Sequence, residues 1–335
     1  MPRKARIDAP GALHHIICRG IERRKIFPDD TDRDEFIRRL SAVVKETQTF
    51  CYAWALIPNH FHLLLRTGAT PITTVMQRLL SGYAGAFNRR HRRIGHLFHN
   101  RYKSILCQED AYLLELTRYI HLNPLRAGIV KSLEELDAYP FTGHSALMGR
   151  HPNDWQETDK ILGMFGGRAS IARKAYRSFV EAGIADGRKP ELTGGGLIRS
   201  SGGWGEMKRR RKAKEHQKGD ERILGDGEFV ATVLEAQREK LERRYRLKAK
   251  GIDLAKLIER VAEVSGMDAE QIRDPGKQPE RVRARSVVCY LAVRDLAATT
   301  VALSKELGIC QSAVSKAVAR GRVYAEELSI SIDGK

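Results

Sequence analysis

His60 and His62 stand either side of one phenylalanine at the head of an apolar run, 61–65, which follows a second apolar run, 51–57, and a Pro58-Asn59 turn signal. On a strand, the period of two puts His60, His62 and Leu64 on one face and Phe61, Leu63 and Leu65 on the other. Two imidazoles side by side are a geometry for holding one metal ion; the plainer alternative is a half-buried strand with two polar residues. Farther along, Tyr119 and Asn123 lie four apart in Glu115-Leu116-Thr117-Arg118-Tyr119-Ile120-His121-Leu122-Asn123-Pro124. That spacing places them on one helical face, about one turn from each other. Pro124 removes a backbone donor and disfavours helical geometry at Asn123, which sets Asn123 at a helix end or kink where its amide can turn away from solvent. The alternative is a core tyrosine followed by an ordinary asparagine at a helix stop.

The elements that must position these four residues follow from periodicity. Residues 13–18 predict a first strand ending at Arg19-Gly20. Residues 29–46 carry Phe36, Ile37, Leu40, Val43 and Val44 on one helical face, with acidic residues at the N-terminal end where the helix dipole favours them. Strands 51–57 and 60–65 follow. A helix over 71–89 has Val75, Leu79, Leu80, Tyr83 and Phe87 as its stripe and leads into the basic run 89–95. A strand-like run, 97–107, then precedes a helix from about residue 110. Strand, helix, two strands, helix, strand, helix is an α+β pattern: an antiparallel sheet with helices packed on one face. The other face, carrying His60 and His62, is expected to be exposed.

His60-Phe61-His62 on a strand, followed by Tyr119-Ile120-His121-Leu122-Asn123-Pro124-Leu125-Arg126-Ala127-Gly128, resembles the REP-associated tyrosine transposases, single-tyrosine members of the HUH endonuclease class. Asn88 before the basic loop and Gly95-His96-Leu97-Phe98-His99-Asn100-Arg101-Tyr102-Lys103 after it extend the resemblance over residues 10–150. Amidohydrolases and metallo-β-lactamases also begin with His-x-His, but the latter require an Asp-His pair just downstream, where Leu64-Leu65 stands. The resemblance implies an HUH (ferredoxin-like) nuclease domain with Mg²⁺ or Mn²⁺ held by His60, His62 and the side-chain oxygen of Asn123. It implies Tyr119 as nucleophile, forming a 5′-phosphotyrosine on single-stranded or hairpin DNA, and a cytoplasmic, nucleoid-associated bacterial protein acting as a monomer or homodimer. A donor set of two imidazoles and an amide oxygen is neutral, so such an ion keeps its full charge for a phosphate, and it suits Mn²⁺ at least as well as Mg²⁺. Glu115, one turn before Tyr119, is a further candidate base or ligand; His121 falls on another helical face and is expected to be structural or phosphate-facing.

Composition agrees with a polyanionic partner. Among 335 residues, 59 Lys and Arg against 41 Asp and Glu give a net charge of +18. In residues 1–150, 23 basic less 14 acidic side chains leave +9, and the rest of the chain carries the other +9. No single basic tail explains the excess, so nucleic acid fits better than a local membrane patch. No apolar stretch is long enough to span a membrane, and Met1-Pro2-Arg3-Lys4 lacks the apolar core of a signal peptide. Five scattered cysteines without a C-x-x-C pair read as reduced thiols. Arg89, Arg90, Arg92, Arg93, Arg101 and Lys103 are candidates for contacts to the DNA backbone.

The second half divides into a helical segment with a flexible Gly/basic linker over 151–227, including Gly194 to Gly196 and the run Lys208-Arg209-Arg210-Arg211-Lys212, and a helical domain over 228–335. Residues 301–320 form a helix, a Gly turn at Gly308 and a second helix: a helix-turn-helix pattern whose exposed face would carry Gln311, Ser312, Ser315, Lys316 and Arg320 towards a duplex major groove. This region resembles, more loosely, the DNA-binding domain of the replication initiator DnaA. Two functions compete: a metal-dependent single-strand DNA endonuclease and strand transferase, and a sequence-specific DNA-binding regulator of chromosomal repeats with a little-used nuclease site.

Overall fold

The computed structural model of the protein describes residues 7–9, 11–187, 189, 192–193, 220–296, 298–328, 330 and 332. The basic linker expected over 194–212 lies outside them. The chain divides into two compact units, residues 1–232 and 233–335.

The first unit is built on a sheet of strands β1 (Leu13–Arg19), β2 (Phe50–Ile57), β3 (His60–Arg66), β4 (Lys103–Cys107) and β5 (Ile223–Leu224), in the order β2-β3-β1-β4-β5. The first four pair antiparallel, and the short β5 adds a parallel edge. Helix α1 (Asp30–Glu46) starts where the Asp29 side chain accepts from Asp32 N at 3.1 Å. It buries Phe36, Leu40, Val43 and Val44. Helix α2 (Ile72–Arg90) lays Val75, Met76, Leu79, Tyr83 and Phe87 beside them. Both pack on the sheet face carrying Ile16, Cys18, Trp54, Leu56, Phe61, Leu63 and Leu65. Each fully buried side chain of this size contributes about 1.5–3 kcal/mol by leaving water.

The opposite face is also covered, which corrects the expectation of helices on one face only. Leu13, Tyr52, Ala53, Ala55, Leu64 and Ile105 form a second core with Leu113, Leu116 and Ile120 of α3 (Glu109–His121). Helices α4 (Asn123–Arg126), α5 (Leu133–Ala138), α6 (Gly143–Leu147), α7 (Asp159–Gly163) and α8 (Ala169–Ala182) follow. Of these, α5 to α8 add Leu133, Leu136, Leu147, Ile161, Tyr176 and Val180 to the same core. The physical reason is visible in β2, where every residue from Cys51 to Ile57 is buried. A strand wetted on one side alternates, and a continuous apolar run is sealed on both. A bulge between Cys51 and Ala53 turns both Tyr52 and Ala53 to the second core. The α+β class and the antiparallel core of the sheet stand as expected. Strand β4 is shorter than the run 97–107 anticipated, because residues 97–102 bend before Lys103 and pair only through an isolated bridge from Phe98 to Gly20.

The second unit is helical. Helix α9 (Gly227–Ala249) crosses the boundary, and α10 (Leu254–Ser265), α11 (Ala269–Arg273), α12 (Pro279–Asp295), α13 (Thr300–Glu306) and α14 (Gln311–Glu327) follow. Asp253, Asp268 and Thr299 cap the starts of α10, α11 and α13. Helix α12 is central, burying Val287, Val288, Leu291 and Ala292. Helix α14 closes on it at Gly321, where a Cβ would stand 1.8 Å from the Ser286 carbonyl oxygen. Only glycine allows that approach. Between α13 and α14, Gly308 takes a φ of +60°, the left-handed conformation the turn requires.

Candidate active site

Strand register brings the two histidines to one end of the sheet. Ile17 pairs with His62 and Arg19 with His60 on the β1 side; Ala55 and Ile57 pair with them on the β2 side. The His60 and His62 ring centroids lie 5.2 Å apart. Helix α3 packs on this same face, and the Tyr119 ring stands edge-on to His62, with centroids 6.0 Å apart. The chain breaks its helix at Leu122, between α3 and α4, as Pro124 foreshadowed. Asn123 uses its amide Nδ2 to donate to the carbonyls of Tyr119 at 3.1 Å and Ile120 at 3.3 Å. The amide is thereby oriented with Oδ1 as its remaining end.

His60, His62, Tyr119 and Asn123 all line one cavity of about 600 Å³, together with Ile17, Arg19, Ile57, Arg126, Ala127, Lys189 and Thr193. The four residues singled out by type and spacing therefore meet within one chain. His62 is 4% exposed.

A third imidazole completes the arrangement. His15, fully buried on β1, has its Nδ1 3.3 Å from the Leu192 carbonyl and its Nε2 3.0 Å from His62 Nδ1. A carbonyl only accepts, so in the neutral His15 ring the proton sits on Nδ1 and Nε2 is a lone pair. His62 Nδ1 must then donate, which leaves His62 Nε2 unprotonated. Asn59 Oδ1 likewise accepts a hydrogen bond from His60 Nδ1 at 2.7 Å, which keeps the proton on Nδ1 and leaves Nε2 as the lone pair. Burial, then the neighbouring Arg19, brings His60 down to about 4; burial, then His15, His60 and Arg19, holds His62 well below the usual imidazole value. Both rings are neutral at pH 7.

Two imidazole lone pairs and an amide oxygen are a donor set that could hold a divalent ion, and Asn59 and His15 would then be the hydrogen-bonding groups that orient the two histidines. Among the described residues no group of three or more His, Cys, Asp or Glu side chains is arranged to hold a metal, so any site here depends on Asn123.

The other candidates separate. Glu115 pairs with Lys189 and does not line the cavity. His121 is buried, with Nδ1 2.5 Å from the Tyr176 hydroxyl, and is structural. Arg89, Arg92 and Arg101 are exposed, and Arg93 lies over the Phe87 ring at 5.7 Å. Arg90 instead forms ion pairs with Asp29 at 2.8 Å and Asp32 at 2.7 Å, so it anchors the basic loop with its charge already neutralised. Lys103 donates to the Thr193 carbonyl. On α14, Gln311, Ser312, Ser315, Lys316 and Arg320 are exposed while Val314, Ala317, Gly321 and Ala325 are buried. His15 and Arg126 escaped the sequence reading. Their signals were a histidine doublet in the first strand, and an arginine three residues after Asn123.

Residues 10–123, about a third of the chain, match the family described as "Transposase IS200 like". The match contains His60, His62, Tyr119 and Asn123. Among solved structures, the chain is similar to a REP-associated tyrosine transposase bound to a REP hairpin, at 17% identity over 47% of this chain and 92% of that one, with a TM-score of 0.39. It is also similar to a candidate transposase from Deinococcus radiodurans R1, at 19% identity over 36% of this chain and 95% of the other, with a TM-score of 0.26. No curated protein matches the chain. Among the described residues no helix is long and apolar enough to cross a membrane.

Proposed function

We propose, from the match of residues 10–123 to the IS200-like transposase family, that the protein cleaves and rejoins single-stranded DNA at a hairpin-type repeat through a covalent 5′-phosphotyrosine on Tyr119. The observation carrying this reading is the approach of Tyr119 to His62, 6.0 Å between ring centroids, at the wall of a cavity that also holds His60 and Asn123.

Tyr119 is the nucleophile. Its phenolic oxygen forms a bond to phosphorus as the bond to the 3′ oxygen breaks, and the phenolate is a good enough leaving group for the reverse step to reseal a strand. His60, His62 and Asn123 would hold Mg²⁺ or Mn²⁺, which when bound orients the scissile phosphate and offsets its charge. His15 and Asn59 keep the two rings in the tautomer that offers Nε2. Helix α3 and the Asn123 amide fix the Tyr119 backbone, so the ring meets the phosphate already oriented. The exposed arginines of the basic loop, Arg89 and Arg92, with Arg101, contact the DNA backbone, which sets affinity and not sequence preference.

The second unit binds duplex DNA through the exposed face of α14, with Gln311, Ser312, Ser315, Lys316 and Arg320 towards the major groove. That exposed face supports a second reading, in which the protein is chiefly a regulator bound at chromosomal repeats. Incubation with single-stranded hairpin oligonucleotides and Mn²⁺, followed by a denaturing gel, separates the two. The nuclease reading expects a covalent adduct that Tyr119→Phe abolishes. Absence of adduct across a broad set of hairpins leaves the regulator, and an adduct that persists in Tyr119→Phe moves the nucleophile elsewhere.

A further inference from the structure

Arg126 stands one helical turn beyond Asn123 and lines the same cavity as Tyr119 and the two histidines. Its Cζ lies 5.2 Å from the Tyr119 ring centroid. Its NH1 donates to the Tyr119 carbonyl at 3.2 Å and its NH2 to the Gly183 carbonyl at 3.3 Å. Its Nε is shielded from water and has no partner. Arg126 forms no ion pair with any carboxylate of the described residues.

That is an unusual position for a cation. Its charged neighbours are balanced: Lys189 pairs with Glu115 and, at 3.0 Å, with Asp186, and Arg118 pairs with Asp186 at 3.2 Å. Arg126 alone among these three is held by neutral carbonyls without a carboxylate partner. A half-buried charge in such surroundings gains most from an anion that arrives in the cavity. Two carbonyls have already fixed the guanidinium plane, so little conformational freedom is lost when its remaining donors engage. A phosphodiester has the single negative charge and the planar pair of oxygens that an arginine fork recognises.

We propose that Arg126 binds the scissile phosphodiester and offsets its charge while Tyr119 attacks. This rests on the reading of the cavity as a single-strand cleavage site. In that step the Tyr119 oxygen–phosphorus bond forms and the phosphorus–O3′ bond breaks. The electron pair leaves on O3′, which takes up a proton as the phenol gives up its own. Arg126 stays protonated throughout and exchanges nothing; it donates hydrogen bonds to the non-bridging oxygens, where negative charge accumulates.

The test is charge replacement. On a hairpin with an ordinary phosphodiester, Arg126→Ala is expected to lower the rate of adduct formation by roughly 10²–10³-fold, the scale for removing one preorganised donor. With a methylphosphonate at the cleaved linkage, which lacks the charge Arg126 would offset, most of that loss disappears, and Arg126→Lys falls between on the natural linkage. An equal loss on both linkages, as a merely structural arginine would give, or no loss at all, overturns the proposal. A second measurement needs no cleavage. In Tyr119→Phe protein saturated with single-stranded oligothymidylate, the guanidinium nuclear magnetic resonance signal of Arg126 should shift as its remaining Nη–H donors gain an acceptor. A signal that stays in place at saturation overturns the proposal whatever the gel shows. A shifted signal with no adduct from the native protein supports Arg126 as a phosphate ligand and defeats the cleavage reading instead.

Discussion

His62 Nδ1 donates to His15 Nε2 at 3.0 Å, and His15 in turn donates from Nδ1 to the Leu192 carbonyl. The relay ties a cavity residue on β3 to a buried partner on β1, and it assigns the His62 proton to Nδ1 and the lone pair to Nε2. Removing the relay leaves His62 free to rotate or to adopt the other tautomer. His15→Ala should therefore weaken Mn²⁺ binding by about 10–100-fold, the usual effect of deleting a group that orients a metal-bound histidine. Isothermal titration of the purified protein with Mn²⁺ reads this directly, with circular dichroism as a check that the fold persists. Unchanged affinity would show that His15 only fills space.

Much of this site was legible in the chain. His60 and His62 share a face because a strand has a period of two, and Tyr119 and Asn123 share one because a helix turns every three to four residues; both rules are local. Pro124 announced the break at Leu122 in the same way. What local rules could not deliver was the second core. Whether the His60 face is open or covered depends on α3 and on residues 133–182, far along the chain, packing back onto the sheet, and only the unbroken apolar run 51–57 hinted at it. His15 was hidden for a similar reason: its partner is set by strand pairing between β1 and β3, a register that no spacing within one strand reveals. Arg90 reads in sequence as one more basic residue of a loop, and its pairing with Asp29 and Asp32 across 58 to 61 positions makes it something else.

Arg90 and Arg92 should accordingly behave differently towards DNA. Arg92 is exposed, whereas Arg90 is held by two carboxylates. If Arg92 contacts a phosphate of a single strand, Arg92→Ala reduces the slope of log affinity against log salt by about 0.7, the counterion release of one such contact. Arg90→Ala should leave the slope nearly as it is. Fluorescence anisotropy with a single-stranded oligonucleotide over a salt series distinguishes the two, and equal changes in slope would mean that the Asp29 and Asp32 pairs open on binding.

The same pairing gives a pH signature. The hydrogen bond from Arg90 is the first cause holding the Asp29 carboxyl at about 2, against an ordinary value of 3.8. A carboxyl depressed in the folded state favours folding when ionised. Its contribution is thus fully present above the ordinary value and is lost as pH falls through about 2. Because the pair is largely exposed, solvent screening keeps the effect small. Urea midpoints measured from about pH 6 down to about pH 2 should show native protein losing its advantage over Arg90→Ala at the acid end. A gap that stays constant over this range would exclude Asp29 as the titrating partner.

Gly321 offers the sharpest separation of the two units. It lies in the middle of α14, where alanine would ordinarily stabilise a helix, and its φ is not in the left-handed region. The contact with α12 reverses that preference, because a methyl group 1.8 Å from the Ser286 carbonyl oxygen and 2.8 Å from Tyr290 Cβ must push the helices apart. Gly321→Ala should destabilise residues 233–335 by about 1–3 kcal/mol, the cost of overpacking a well-filled contact. It should weaken duplex binding through the displaced α14 and leave adduct formation at Tyr119 intact, since none of the residues lining the cavity belongs to that unit. Thermal unfolding followed by far-ultraviolet circular dichroism, alongside duplex and hairpin assays on the full chain, checks all three outcomes. A parallel loss of both activities would mean that cleavage depends on an ordered helix-turn-helix.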